Sequence, residues 1–192
     1  MDFNYFLLAT SIVALAEIGD KTQLLSLMLA ARYKDHHWAI IAGIFIATIL
    51  NHALAALLGS AVSSWLSPDV MRWILGAGFI GLGLWLLIPD KLDGDENTPS
   101  THSSWKIFTI TTSLFFMAEM GDKTQVATVA LGARYDDLLA VVTGTTVGMM
   151  LANAPAVWLG KKFTRALPIK WVHSIAAIIF IAIGVGTLLI QY

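Results

Sequence analysis

The chain has no cysteine and little charge. Without cysteine there are no disulfides, thiolate metal sites or cysteine nucleophiles, and nothing marks the redox compartment. Only 13% of the 192 residues are Asp, Glu, Lys or Arg, about half the roughly 25% usual in soluble domains. The formal net charge of −1 supplies no basic field for nucleic acid. What is abundant is apolar: 57% of residues, with a mean hydropathy of +0.72. The composition is that of an integral membrane protein.

The start of the chain bears on that reading. Ala14-Leu15-Ala16 follows an apolar stretch, as a signal-peptidase site would. However, Met1-Asp2-Phe3-Asn4 has no Lys or Arg, whereas a secretory signal has a positive n-region. Cleavage would also sever a polar motif from its helix. The expectation is an uncleaved first span with no targeting extension ahead of it, as in a bacterial inner-membrane protein.

A helix crosses the hydrocarbon core with about 20 apolar residues. Six segments qualify, roughly 4–30, 38–62, 71–89, 106–131, 138–160 and 171–191. The turn-rich stretch from Pro89 to Pro99 is the obvious linker. It separates a first three-helix repeat (1–89) from a second (106–192), joined by residues 90–105, within one transmembrane unit spanning 1–192. The halves are duplicates: residues 16–35 match 118–137 at 12 of 20 positions without a gap. Three crossings per copy place the second copy in the membrane upside down, the inverted repeat of many secondary transporters. The expected fold is therefore all-α, with six transmembrane helices as two inverted three-helix repeats. Lys and Arg favour cytoplasmic loops. One side holds Arg32, Lys34, Lys91, Lys106, Lys161, Lys162, Arg165 and Lys170; the other holds only Arg72 and Arg134. This puts the central loop in the cytoplasm and both termini outside. Trp38, Trp65, Trp73, Trp105 and Trp171 fall near span ends, as interfacial anchors do.

Of the 13 acids, nine lie in loops or at ends, and four lie deep inside the first and fourth spans: Glu17, Asp20, Glu119 and Asp122. They belong to two copies of one motif, Glu17-Ile18-Gly19-Asp20-Lys21-Thr22 and Glu119-Met120-Gly121-Asp122-Lys123-Thr124. An intramembrane charge costs about 3 kcal/mol on insertion scales and is functional by default. The bland alternative, a structural salt-bridge network, has to explain why the same residues recur in the same order. Glu and Asp at i and i+3 share a helix face. Gly19 and Gly121 permit either close helix approach or a local break that frees backbone carbonyls. Thr22, Gln23, Thr124 and Gln125 add neutral oxygens beside the acids.

If the repeats are inverted, the motifs face each other near the midplane. Four acids against Lys21 and Lys123 leave a formal charge of minus two, the complement of one divalent cation. An all-oxygen donor set suits Ca²⁺, Mn²⁺ or Mg²⁺ better than Zn²⁺ or Cu⁺, and reluctant dehydration disfavours Mg²⁺. With the ion gone, crowding and desolvation favour protonated acids, so metal and protons compete for one site. Lys21 and Lys123 stand four residues after Glu17 and Glu119. This spacing fits an ion pair on one helix, formed either in the empty site or permanently; snorkelling is a further reading. Asn51 and Asn153 sit on helices expected to flank the motifs, as supporting groups or as interhelical hydrogen-bonders. His52 reads as an interhelical hydrogen-bonder. Gly76, Gly78, Gly81, Gly83, Gly144 and Gly148 read as close-packing surfaces. Pro155 is expected to kink the fifth span.

The doubled E-x-G-D-K-T motif, the six spans and the polar central loop resemble the calcium/manganese cation antiporter family, over essentially the whole chain. Its signature E-x-G-D-K-[ST] is matched by Glu17–Thr22 and again by Glu119–Thr124. The resemblance implies export of Mn²⁺, or of Ca²⁺, from the cytoplasm against protons, with the motif acids as ligands and no cofactor. The compact chain looks like the bacterial branch, where manganese export is the usual assignment. A divalent cation channel and a small amino-acid exporter of the same 3+3 design are the competing readings. An aspartyl intramembrane protease needs G-x-G-D, and Glu17 and Glu119 occupy the first glycine position; the expectation is a transporter rather than an enzyme.

Overall fold

The computed structural model describes residues 1–88, 103–160 and 169–189. The acids and Lys91 of the central loop, and Lys161, Lys162 and Arg165, lie outside the described residues. Those described form eight helices and no strand: α1 (Phe3–Glu17), α2 (Lys21–Arg32), α3 (His37–Ser63), α4 (Pro68–Leu86), α5 (Ser104–Glu119), α6 (Lys123–Arg134), α7 (Leu138–Leu159) and α8 (Ile169–Leu189).

Four of these, α3, α4, α7 and α8, are long and apolar enough to cross a membrane. The segments 4–30 and 106–131 are not continuous helices. Each is interrupted at its motif, between α1 and α2 and between α5 and α6. The α1–α2 pair carries a span's worth of apolar residues but bends by 70° at the break. The cause is a glycine turn, described below. Pro155, by contrast, does not break α7, which runs through it for 22 residues.

Packing crosses the boundary between the halves. α1 lies on α7 and its counterpart α5 lies on α3, while α4 packs along α8. Small residues let these backbones approach. A Cβ on Gly144 would stand 2.6 Å from the Phe6 carbonyl oxygen, and one on Gly148 2.6 Å from that of Thr10. Thr10 Oγ1 donates to the Gly144 carbonyl at 3.0 Å across the same seam. Gly76 and Gly83 similarly press on α8, but a Cβ on Gly78 or Gly81 would meet nothing within 4 Å. Only part of the expected glycine surface is thus a packing surface. Gly148→Val is expected to lower stability by about 1–3 kcal/mol, because the obstacle is rigid backbone. Unfolding in detergent followed by circular dichroism checks this.

The helix ends gather into two groups. The Met1 amino group lies 3.4 Å from Asp137 Oδ2 just before α7. At the opposite end, His36 Nδ1 lies 3.0 Å from Ser104 Oγ at the start of α5. There His37 stacks on Trp158, at the end of α7, at 5.2 Å. Trp38, Trp65, Trp73, Trp105 and Trp171 are all exposed, as the sequence suggests. Between the two ends run apolar clusters built on Ile12, Phe79 and Phe180, and on Leu29, Ile44 and Phe115.

Candidate metal site

Both motifs fold into the same turn. Ile18 adopts φ −66°, ψ 114° and Gly19 has φ 85°. Met120 adopts φ −65°, ψ 117° and Gly121 has φ 75°. These are the two central positions of a type II turn, whose second requires positive φ and hence glycine. The closing bonds run from Asp20 N–H to the Glu17 carbonyl at 3.1 Å and from Asp122 N–H to that of Glu119 at 3.2 Å. No Cβ clash would arise at Gly121, so backbone conformation is what demands glycine there. Of the two roles expected for these glycines, the local break is the one realised.

The turn leaves amides and carbonyls without helical partners, and neighbouring side chains take them up. Gln23 Oε1 accepts from Gly19 N–H at 2.9 Å, and Gln125 Oε1 from Gly121 N–H at 2.7 Å. The same glutamines reach the flanking helices. Gln23 Nε2 donates to the Ala152 carbonyl on α7, and Gln125 Nε2 to Asn51 Oδ1 on α3, each at 2.9 Å. Asn51 Nδ2 in turn donates to the Phe116 carbonyl at 3.1 Å. Asn153 accepts from Ser26 Oγ at 2.8 Å. Both asparagines therefore tie the long helices to the broken ones.

Glu17 and Glu119 end α1 and α5, and both are fully buried. Thr22 Oγ1 donates to Glu17 Oε2 at 2.6 Å, and Thr124 Oγ1 to Glu119 Oε2 at 2.9 Å. The other oxygen of each glutamate, Oε1, is buried and has no hydrogen-bond partner. Oxygens of Glu17, Glu119 and Asp122 lie within 4.8 Å of one another. Ligands bound to one Ca²⁺ at 2.3–2.6 Å stand up to about 5 Å apart, so these three can share an ion. Asp20, the fourth acid of the expected set, is buried but is not part of this cluster.

The lysines also depart from expectation. Lys21 pairs across the site with Asp122 Oδ1 at 2.9 Å, rather than with Glu17 four residues earlier. The i,i+4 rule presumes a continuous helix, and the turn separates the two residues. Lys123 donates to the Ile88 carbonyl at 2.8 Å beyond the end of α4, with its ammonium 5.9 Å from the Trp85 ring centre. Three carboxylates against one ammonium still leave two negative charges.

Two contacts were not anticipated from the sequence, both engaging groups far away along the chain. One is that of Ile88. The other is His173 on α8, whose Nε2 lies 2.6 Å from the Ile18 carbonyl at the first break. A carbonyl only accepts, so Nε2 carries the proton. A histidine in the first turns of an otherwise apolar helix was the available signal. His52 is fully buried with both ring nitrogens unpartnered, so the expected interhelical hydrogen bond is not made.

Two doubled turns that bring buried carboxylates to one point agree with what the chain is similar to. The profile described as "Divalent cation/proton antiporter GDT1" matches residues 5–94 and 107–192. The chain belongs to this family. It is 51% identical over 176 residues to a Vibrio cholerae protein provisionally named a manganese exporter, covering 91% of this chain and 86% of that one. It is 30% identical over 210 residues to GDT1-like protein 5 of Arabidopsis thaliana, covering 91% of each. A GDT1-like protein of Synechocystis is 26% identical over 190 residues, covering 88% of this chain and 89% of the other. No solved structure gives a significant match. As a member of a cation/proton antiporter family the protein is a transporter, not an enzyme, and its transported species are divalent cations and protons.

Proposed function

We propose that the protein exports Mn²⁺ from the cytoplasm in exchange for protons, at a site made by Glu17, Glu119 and Asp122. Ca²⁺ is the alternative cargo. The observation that carries this reading is the pair of buried, unpartnered Oε1 atoms on Glu17 and Glu119, on carboxylates that each bring an oxygen within 4.8 Å of one of Asp122. A buried carboxylate oxygen without a hydrogen bond is costly, and a divalent ion or a proton would relieve that cost. Thr22 and Thr124 hold the second oxygen of each glutamate and fix its direction. Gln23 and Gln125 secure the turns, Asn51 steadies Gln125, and Asn153 holds α2 through Ser26.

Six crossings in two inverted repeats, 1–89 and 106–192 about a cytoplasmic linker, fit the gathering of helix ends into two groups. The broken pairs α1–α2 and α5–α6 then each count as one bent crossing. Both termini outside follows from the distribution of Lys and Arg, and a bacterial inner membrane is the setting suggested by the likeness to the Vibrio cholerae protein.

Alternating access is supported by a departure from symmetry. α8 packs on α1 and α4 packs on α6. The equivalent packings, α4 on α5 and α8 on α2, are at most marginal among the described residues. Lys21 crosses to Asp122, while Lys123 reaches Ile88. In the opposite-facing state the roles exchange: Asp20 joins the ion site and Lys123 crosses towards it.

Uptake into inverted vesicles tests the function. Mn²⁺ is expected to accumulate against its gradient when the pH gradient is present and not when it is collapsed. Ca²⁺ and Mg²⁺ serve as comparisons and an amino-acid mixture as the competitor. Metal flux that only runs downhill would make the protein a channel. The lysine role has its own test. Lys21→Met releases Asp122 to the ion and is expected to tighten Mn²⁺ binding while slowing exchange, as read by titration and by counterflow. Unchanged values for both would reduce Lys21 to a structural partner.

A further inference from the structure

Two cavities of about 170 Å³ each meet at the end of the bundle where α3 stops, α4 starts, and α6 and α8 stop. The outer one is lined by Pro68, Arg72, Arg134 and Thr187. The other is an apolar trough along α3, α4 and α6, lined by Val62, Ile74, Gly78, Leu82, Val126 and Val129. Met71, Leu75 and Ala133 line both, so the basic cavity and the trough lie side by side.

The arginines are notable for where they stand. Arg72 and Arg134 are the only Lys or Arg assigned to the side opposite the basic loops, where positive charge is disfavoured. They come from different halves of the chain and nonetheless line one cavity. Arg72 Nε is buried without a hydrogen-bond partner. The carboxylate paired with it, Asp69, is 88% exposed and 3.7 Å from the guanidinium. Arg134 lies with its guanidinium 5.7 Å from the Tyr135 ring centre. Gly78 leaves room in the wall of the trough: a Cβ there would meet nothing within 4 Å.

We propose that this composite cavity binds one anionic phospholipid, its phosphate held between Arg72 and Arg134 and part of one acyl chain in the trough. The guanidinium forks match phosphate oxygens. Exposed Trp65 and Trp73 stand at the same end, marking the interfacial depth at which a headgroup sits. The lipid would lie in the seam between α4 and α6, a packing with at most a marginal equivalent in the other half among the described residues. The proposal needs the chain to span a membrane, but not the metal site. Its failure would leave the exchange reading intact, and the converse also holds.

Native mass spectrometry of the purified full chain, with phosphatidylglycerol and phosphatidylcholine of equal chain length, tests it. Two arginines near a headgroup predict about tenfold or greater retention of the anionic lipid. The double variant Arg72→Gln/Arg134→Gln is expected to abolish that preference. Gly78→Phe, which keeps both arginines and fills the trough, is expected to reduce phosphatidylglycerol retention. Soluble glycerol phosphate is expected to bind far more weakly than the lipid. Equal retention of both lipids, a preference that survives loss of the arginines, or glycerol phosphate binding as well as the lipid would each overturn the proposal. Gel filtration and circular dichroism report folding, and if the double variant does not fold, Arg72→Gln alone and Gly78→Phe decide the matter.

Discussion

Glu119→Gln is expected to abolish metal-driven proton movement in proteoliposomes, and Glu17→Gln is expected to do the same. Each glutamate presents one buried oxygen with no hydrogen-bond partner, and the amide keeps the shape while removing the charge that an ion or a proton needs. Losing an outer-shell partner of a metal site typically costs 10–100-fold, so losing a ligand should cost at least about 100-fold. Isothermal titration with Mn²⁺ and a pH-sensitive dye in the vesicle lumen measure the two losses separately. Asp20→Asn sharpens the test. Asp20 lies outside the carboxylate cluster in this structure, so the variant should retain Mn²⁺ binding in the conformation seen here while exchange fails. Full transport by all three variants would remove the proposed site.

The second large effect is expected at Gly121. With φ at 75° and open space around the missing Cβ, substitution acts through the backbone alone. A residue with a Cβ in the left-handed region costs about 1–2 kcal/mol, and a β-branched one more. Gly121→Val should therefore lower the unfolding midpoint and eliminate exchange, because the turn sets the positions of both Glu119 and Asp122. Gly121→Asn should be milder, since asparagine tolerates positive φ. An order of Gly, Asn, Ala, Val in both stability and transport is the expected outcome. Equal activity of the Val and Asn variants would contradict the role given to the turn.

Some of this architecture could be read directly along the chain. The four intramembrane acids stood out because charge is costly in an apolar run, and their neighbours Thr22, Gln23, Thr124 and Gln125 proved to hold the acids and the turns. Asn51 bonds Gln125 and Asn153 bonds Ser26, on the flanking helices that a duplicated motif leads one to look at. Other features were misread for a common reason. The pairing of Lys21 with Glu17, and of Lys123 with Glu119, assumed that helical spacing persists through the motif. A single glycine at positive φ ends that spacing. His173 and Ile88 escaped notice because their partners lie 155 and 35 residues away in the chain, beyond any local pattern.

The amino-acid order by itself determined the membrane class, the duplication, and the chemistry of the donors, since each follows from composition or from identity between two short segments. Only the tertiary structure decided which three of the four acids meet, and that Lys21 serves the opposite motif. It also decided that Arg72 and Arg134 share a cavity. These are distances between residues far apart in the chain, fixed by how α1, α5 and α6 pack on the long helices, and no periodicity within a segment encodes them.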